Sequence, residues 1–198
     1  MRKPASARTG HARNNPCMFE VSVEAMFSAA HALVIGGDRE PVHGHNWHVV
    51  ATVAGPVLDS NGLLVDFHVL ERALADITRR FHNADLNAAP PFDKVNPSAE
   101  RVAQYIAYTL EDRLGRMHSL APTSPVTAGS ATSPQHPRVV SVRVTEAPGC
   151  SVIYRPSSSY PPSETDEMVR HAASLAPSAP TAPRGVPGSR GSPPSPSR

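Results

Sequence analysis

The sequence predicts an α+β fold in which an antiparallel sheet carries two helices on one face. Residues 18–27 alternate apolar Phe19, Val21, Val23, Ala25 and Phe27 with polar Glu20, Ser22 and Glu24, the period of a half-buried strand. Two later segments place apolar residues every three or four positions, the period of a helix with one buried face. The last two strand-like runs are separated only by Ala147-Pro148-Gly149, a connection short enough to pair them antiparallel. Strands joined by short turns, with the helices grouped between them, make a two-layer domain.

The elements follow in chain order. Residues 1–17 are polar, carry Arg2, Lys3, Arg8 and Arg13 without an acid, and show no period; they read as a disordered basic tail. Residues 45–54 (HNWHVVATVA) form the second strand, closed by Gly55-Pro56 and the turn signal Asp59-Ser60-Asn61-Gly62. Asp66 is the expected N-cap of a helix whose stripe is Phe67, Leu70, Leu74, Ile77 and Phe81. Residues 82–95 read as irregular. Asn96 then caps a second helix with Pro97 in its first turn and Val102, Ile106, Leu110 and Leu114 as its stripe. Residues 119–138 are a Pro/Ser/Thr/Ala-rich insert and read as a solvated excursion. Strands at 139–146 and 150–155 complete the domain, which spans 18–156. Residues 157–198 read as a disordered Pro/Ser-rich tail.

Composition narrows the function classes. Of 22 prolines in 198 residues, most fall in 119–138 and 157–198, so the remaining stretch is an ordinary single-domain core. The net charge is +2. The N-terminal tail carries +4 and the C-terminal one +1, which leaves the core negative. A nucleic-acid surface needs clustered Lys and Arg on the folded domain, so none is expected there. No apolar run approaches the length of a membrane span, and no apolar stretch follows the N-terminal charges as in a secretory signal. Two cysteines, Cys17 and Cys150, make no disulfide framework. A reduced, cytoplasmic setting is the expectation.

Of ten histidines, three have the spacing of metal ligands. His43 and His45 sit two apart at a strand start, so their rings project from one face. His31 ends the run FSAAH in phase with Phe27. If these strand ends are neighbours, three imidazoles converge, and three neutral imidazoles with an open fourth position make a catalytic-type zinc site. The same spacing also suits partly exposed strand histidines. His48 faces away from the pair. His68 reads as surface. Glu146 extends the apolar row Val140, Val142 and Val144, where an unpaired carboxylate is costly. Either that strand end is exposed, or the carboxylate meets a fixed donor such as a ligand with two adjacent N–H groups.

The ordered motifs FSAAH, HGHN, GLLVDF, DLN, NPSAE and VTE, with a final IY, span residues 18–156. Together they resemble the 6-pyruvoyltetrahydropterin synthase / 6-carboxytetrahydropterin synthase family. The resemblance implies the tunnelling fold: a four-stranded antiparallel sheet with two helices on one side, closed by three subunits into a barrel and stacked as a hexamer of two trimers. It implies Zn²⁺ on His31, His43 and His45, and Glu146 as the anchor of the pterin amino-pyrimidinone edge and part of a relay. Glu100 of NPSAE could assist in binding; helix-start electrostatics explain it equally.

Two departures from the family pattern bear on the product. The pyruvoyl and carboxy members place a cysteine a few residues before HGH, whereas this chain reads Gly36-Gly37-Asp38-Arg39-Glu40-Pro41-Val42. Glu40 instead gives E-x-x-H-G-H, which resembles the branch that makes 6-hydroxymethyl-7,8-dihydropterin for folate. The Asp-His pair before Leu86-Asn87 is also altered, with His82 in the Asp column and Asn83 in the His column; His82 is the candidate for a displaced relay. The resemblance thus implies a zinc-dependent lyase acting on the side chain of 7,8-dihydroneopterin triphosphate, with Glu40, His82 and Glu146 as catalytic residues. The alternatives are the 6-carboxytetrahydropterin (queuosine route) or 6-pyruvoyl product, or a zinc-binding barrel protein without catalysis.

Overall fold

A computed structural model describes residues 18–120, 136–157 and 163–176. Its strands are β1 (Phe19–His31), β2 (Val34–Ile35), β3 (Asp38–Arg39), β4 (His43–Gly55), β5 (Ala84–Asp85), β6 (Arg138–Ala147) and β7 (Cys150–Tyr154). Its helices are α1 (Phe67–Arg79), α2 (Ala99–Leu120) and α3 (Glu164–Ser174), with a 3-10 turn at Leu86–Ala88. The sheet order is β5-β1-β4-β6-β7. β1, β4, β6 and β7 are antiparallel to their neighbours, and two-residue β5 lies parallel to β1 at the edge. The expected four-stranded sheet is therefore present, with β5 added. β2 and β3 form a separate hairpin, turned by Gly36 and Gly37 at positive φ.

The alternation seen in the sequence sorts the sheet into two faces. Val23, Phe27 and Ala29 of β1 and Trp47, Val49, Ala51 and Val53 of β4 are buried, together with the stripes of α1 and α2 except Phe67, which opens α1 and is exposed. α1 packs on β1, and α2 on β6 and β7. Burying one such side chain stabilises by roughly 1.5–3 kcal/mol. On β6 the expected row Val140, Val142 and Val144 is corrected by a bulge: the pairing with β4 shifts between Thr52 and Val53. The extra residue puts Val139 on the buried face beside Val142 and Val144, while Val140 is only half-buried.

Asp66 caps α1 as expected, accepting from the His68 N–H at 2.9 Å. The start of α2 differs. The helix begins at Ala99, and Ser98 supplies the first carbonyl, to the Val102 N–H. Asn96 does not cap, because its amide is bonded to Val34. α2 reaches Leu120 and β6 starts at Arg138, so the expected insert is shortened at both ends. Its residues 121–135 lie outside the described residues, as do 1–17.

The expected C-terminal tail is also corrected, since Glu164–Ser174 is helical. Ser163 and Asp166 form a reciprocal capping box. Val169 and Ala173 are buried, and Asp166 binds Arg101 and Gln104 of α2. Low complexity on both sides concealed a short amphipathic run. No helix among the described residues is long and apolar enough to cross a membrane.

The Gln104 amide, the Ser163 backbone and Arg101 hold the Asp166 carboxyl well below the usual carboxylate range. A depressed carboxyl stabilises in full above its ordinary value of 3.8 and loses that contribution as pH falls toward the native value. Asp166→Ala removes the tether to α2 and the acceptor of the Ser163 N–H, while the Ser163 hydroxyl still caps the helix; each lost hydrogen bond to a charged group costs about 1.5–3 kcal/mol. Hydrogen exchange should therefore speed up across 164–174 while β1 and β4 keep their protection. Unchanged exchange in α3 would show that Asp166 does not hold it.

Candidate metal centre and active site

The β1–β4 register builds the site. His31 pairs directly with His43, and Ala29 with His45. Side chains two apart share a face, so all three rings stand on the side that also holds Trp47. Their centroids lie 4.7 Å (His31–His43), 5.3 Å (His31–His45) and 4.9 Å (His43–His45) apart. Glu146 arrives from β6. The β4–β6 ladder ends at His48↔Thr145, and Glu146 follows where β6 bulges against β7. Its carboxylate lies 2.7 Å from His31 Nε2 and 3.6 Å from His45 Nε2. One ligand atom from each of the four residues falls within 4.8 Å of the others.

The hydrogen bonds fix which nitrogen each ring presents. His31 Nδ1 is 2.9 Å from the Pro97 carbonyl, and His43 Nδ1 is 2.9 Å from the Pro41 carbonyl. A carbonyl only accepts, so both Nδ1 atoms carry the proton and both Nε2 atoms present a lone pair. His31 is fully buried, and its Nε2 faces carboxylate oxygens that also only accept. Nε2 of His31 and of His45 have no hydrogen-bond partner. A cation between them satisfies both sides, so the donor set fits a metal ion. Burial lowers the His45 pKa, the neighbouring His31 and His43 lower it further, and Glu146 opposes them. The lowered value keeps His45 in the neutral form that ligates.

The other expected site residues lie apart from this cluster. Glu40 follows the β2–β3 hairpin; its N–H donates to the Leu33 carbonyl at 2.9 Å, and its Oε2 accepts from the Leu33 N–H at 3.4 Å. Glu100 is exposed in the first turn of α2. His82 is exposed, with Nδ1 accepting from the Ser28 N–H at 3.2 Å, and it lines a cleft with Glu24, Glu71 and Thr78. Its neighbour Asn83, at φ 57°, lines a different cleft of about 530 Å³ with Ser28, His45, Asn46 and Asp85. Of the altered pair, the residue that reaches the His45 side is Asn83. His48 binds Glu24 at 2.9 Å on the opposite face, and His68 is exposed.

The comparisons with known proteins agree with this geometry. The family model described as 6-pyruvoyl tetrahydropterin synthase matches residues 20–157. The chain belongs to that family. A curated relative, the 6-carboxy-5,6,7,8-tetrahydropterin synthase of Bacillus subtilis, is 30% identical over 144 residues, covering 72% of this chain and 88% of its own. Two solved structures share the fold. The 6-pyruvoyl tetrahydropterin synthase of Caenorhabditis elegans gives a TM-score of 0.56 at 17% identity over 71% of this chain and 97% of its own. The Plasmodium falciparum enzyme gives 0.51 at 22% over 69% and 96%. α3 lies outside the residues matched by the family model.

His43→Ala should remove most of the bound metal, read by elemental analysis after dialysis; retention at the wild-type level would break the assignment. Because His45 must be neutral to ligate and burial lowers its pKa from the ordinary imidazole value of 6.5, metal retention should hold to below pH 6.5 and fall as the pH drops further. The expected sign is tighter binding at higher pH, measured by chelator competition.

Proposed function

We propose that this member of the family is a zinc-dependent lyase that cleaves the side chain of 7,8-dihydroneopterin triphosphate, with 6-hydroxymethyl-7,8-dihydropterin as product. The observation that carries the proposal is Glu40. It stands three residues before His43, in a loop without cysteine, and its carboxylate is held on the backbone that leaves His31. Cys150 is exposed at the β6–β7 turn. A glutamate in this role has support from a Plasmodium vivax 6-pyruvoyltetrahydropterin synthase, solved as a catalytic-residue mutant with alanine in place of glutamate, with a TM-score of 0.50 and 15% identity over 70% of this chain and 97% of its own.

His31, His43 and His45 hold the metal. Bound zinc supplies Lewis acidity that lowers the pKa of a substrate hydroxyl. Glu146 accepts the adjacent N–H groups of the amino-pyrimidinone ring and so orients the side chain toward Glu40. Glu40 takes the proton of the outer of the two side-chain hydroxyls. The electron pair of that oxygen closes to a carbonyl, and the bond between the two hydroxyl-bearing carbons breaks. The outer fragment leaves as an aldehyde carrying the triphosphate. The inner carbon takes up a proton and remains as the hydroxymethyl group. Glu100 and His82 have no step here. The exposed apolar Val34, Ile35 and Val42 beside the site support assembly with further copies into the family's hexameric barrel, in a cytoplasmic setting.

A second reading is favoured by the Bacillus subtilis relative, whose name gives the 6-carboxy product. Product analysis separates the two: the purified protein with zinc and dihydroneopterin triphosphate should yield 6-hydroxymethyl-7,8-dihydropterin on chromatography, and a 6-carboxy product would establish the second reading. Glu40→Gln should retain zinc and lose turnover by ~10²–10⁴, the usual cost of a missing general base. Normal turnover in that variant would remove Glu40 from the mechanism.

A further inference from the structure

Between His31 and Glu40 the chain leaves the main sheet, yet its backbone stays fully engaged. Asn87 accepts from the Ala32 N–H at 2.8 Å through Oδ1 and donates to the Ala32 carbonyl at 2.8 Å through Nδ2. Two residues on, Asn96 repeats the pattern, accepting from the Val34 N–H at 3.0 Å and donating to the Val34 carbonyl at 2.7 Å. Between them, Leu33 exchanges its N–H and carbonyl with the Glu40 side chain and backbone. A primary amide offers one acceptor and one donor side by side, as a peptide group does. Each asparagine therefore stands in for one residue of a missing neighbouring strand.

We infer that Asn87 and Asn96 are positioning residues with separate tasks. Asn87 holds Ala32, the residue next to His31, and so fixes the backbone from which the His31 ring reaches Glu146. Asn87 is itself anchored, its N–H donating to Asp85 at 2.9 Å. Asn96 holds Val34, the first residue of the hairpin that ends at Glu40, and so fixes where that carboxylate sits. Its neighbour Pro97 supplies the carbonyl that orients the His31 ring. Asn96, just before α2, and the 3-10 turn thus hold two backbone positions, Ala32 and Val34, that the β1–β4 ladder does not reach. Asparagine is required because aspartate keeps the acceptor and loses the donor.

The division of tasks rests on the zinc and Glu40 reading, but the two clamps are readable without it. The test uses the full chain with Asn87→Ala, Asn96→Ala and the isosteric Asn87→Asp and Asn96→Asp. Zn²⁺ affinity is measured by competition with a chromophoric chelator, and kcat and KM with dihydroneopterin triphosphate at saturating zinc. Asn87 variants should lose zinc affinity ~10–100-fold, the usual effect of removing a group that orients a ligand. Asn96 variants should bind zinc like the wild type and lose kcat by ~10–100-fold with little change in KM, as for a displaced catalytic group. Wild-type zinc affinity in the Asn87 variants, or equal zinc loss in both sets, overturns the inference. In metal-free wild-type protein the Ala32 and Val34 amides should exchange as slowly as those of β1, with Ala32 accelerated only by Asn87→Ala and Val34 only by Asn96→Ala, each of which removes the acceptor. Fast exchange at both in the wild type overturns the clamps even if no alanine variant folds. Failure of the wild type to bind zinc or turn over, with the exchange pattern intact, overturns the functional reading and leaves the clamps standing.

Discussion

The site depends on one constraint, the pairing of β1 with β4 from Phe19↔Gly55 to His31↔His43 without a break. A slip of one residue turns every side chain to the opposite face. Such a slip would expose Trp47, Val49, Ala51 and Val53 together and scatter the three histidines. Trp47 makes it costly, because it is buried, stacks on Phe27 with centroids 5.9 Å apart, and donates Nε1–H to the Ala29 carbonyl at 3.2 Å. The packing that stabilises the sheet therefore also positions the three candidate metal ligands.

A register brings rings together without deciding which nitrogens meet. That choice comes from two carbonyls outside the sheet. Pro97 lies just before α2 and Pro41 after the hairpin; the first leaves His31 Nε2 facing Glu146 and the second leaves His43 Nε2 without the proton. The bulge at the end of β6 delivers that carboxylate. Convergence of four residues from three strands leaves Nε2 of buried His31 and of half-buried His45 with lone pairs that no protein donor satisfies. Unsatisfied buried acceptors are expensive, so the arrangement is most stable with a cation among them.

The family domain carries alterations at its margins. At the positions where the resemblance implies an Asp-His pair, Asn83 lines the His45 cleft and His82 turns to the neighbouring one. The backbone explains the exchange: Asn83 takes a left-handed conformation, which asparagine tolerates well, and its N–H bonds the Ser28 carbonyl at 2.6 Å. On the outer side, α3 covers part of α2 through Asp166 and through Arg170, stacked on Tyr108 at 4.7 Å. Burial and the bond to Tyr108 raise the Tyr154 pKa to about 12, and its hydroxyl donates to Tyr108 at 2.9 Å.

Periodicity by itself determined the α+β class, the main strands, the α1 cap at Asp66 and the phase that puts His31, His43 and His45 on one face. These are local properties, written in alternation and stripe. Tertiary structure alone decided the rest. The bulges that bring in Val139 and aim Glu146 depend on pairing with a distant strand. The start of α2 moved to Ala99 because Asn96 and Pro97 bond to residues more than sixty positions earlier. α3 became visible only through its partners on α2. Single residues announce their chemistry, but which of them meet is settled by long-range packing and by backbone groups that carry no sequence signature.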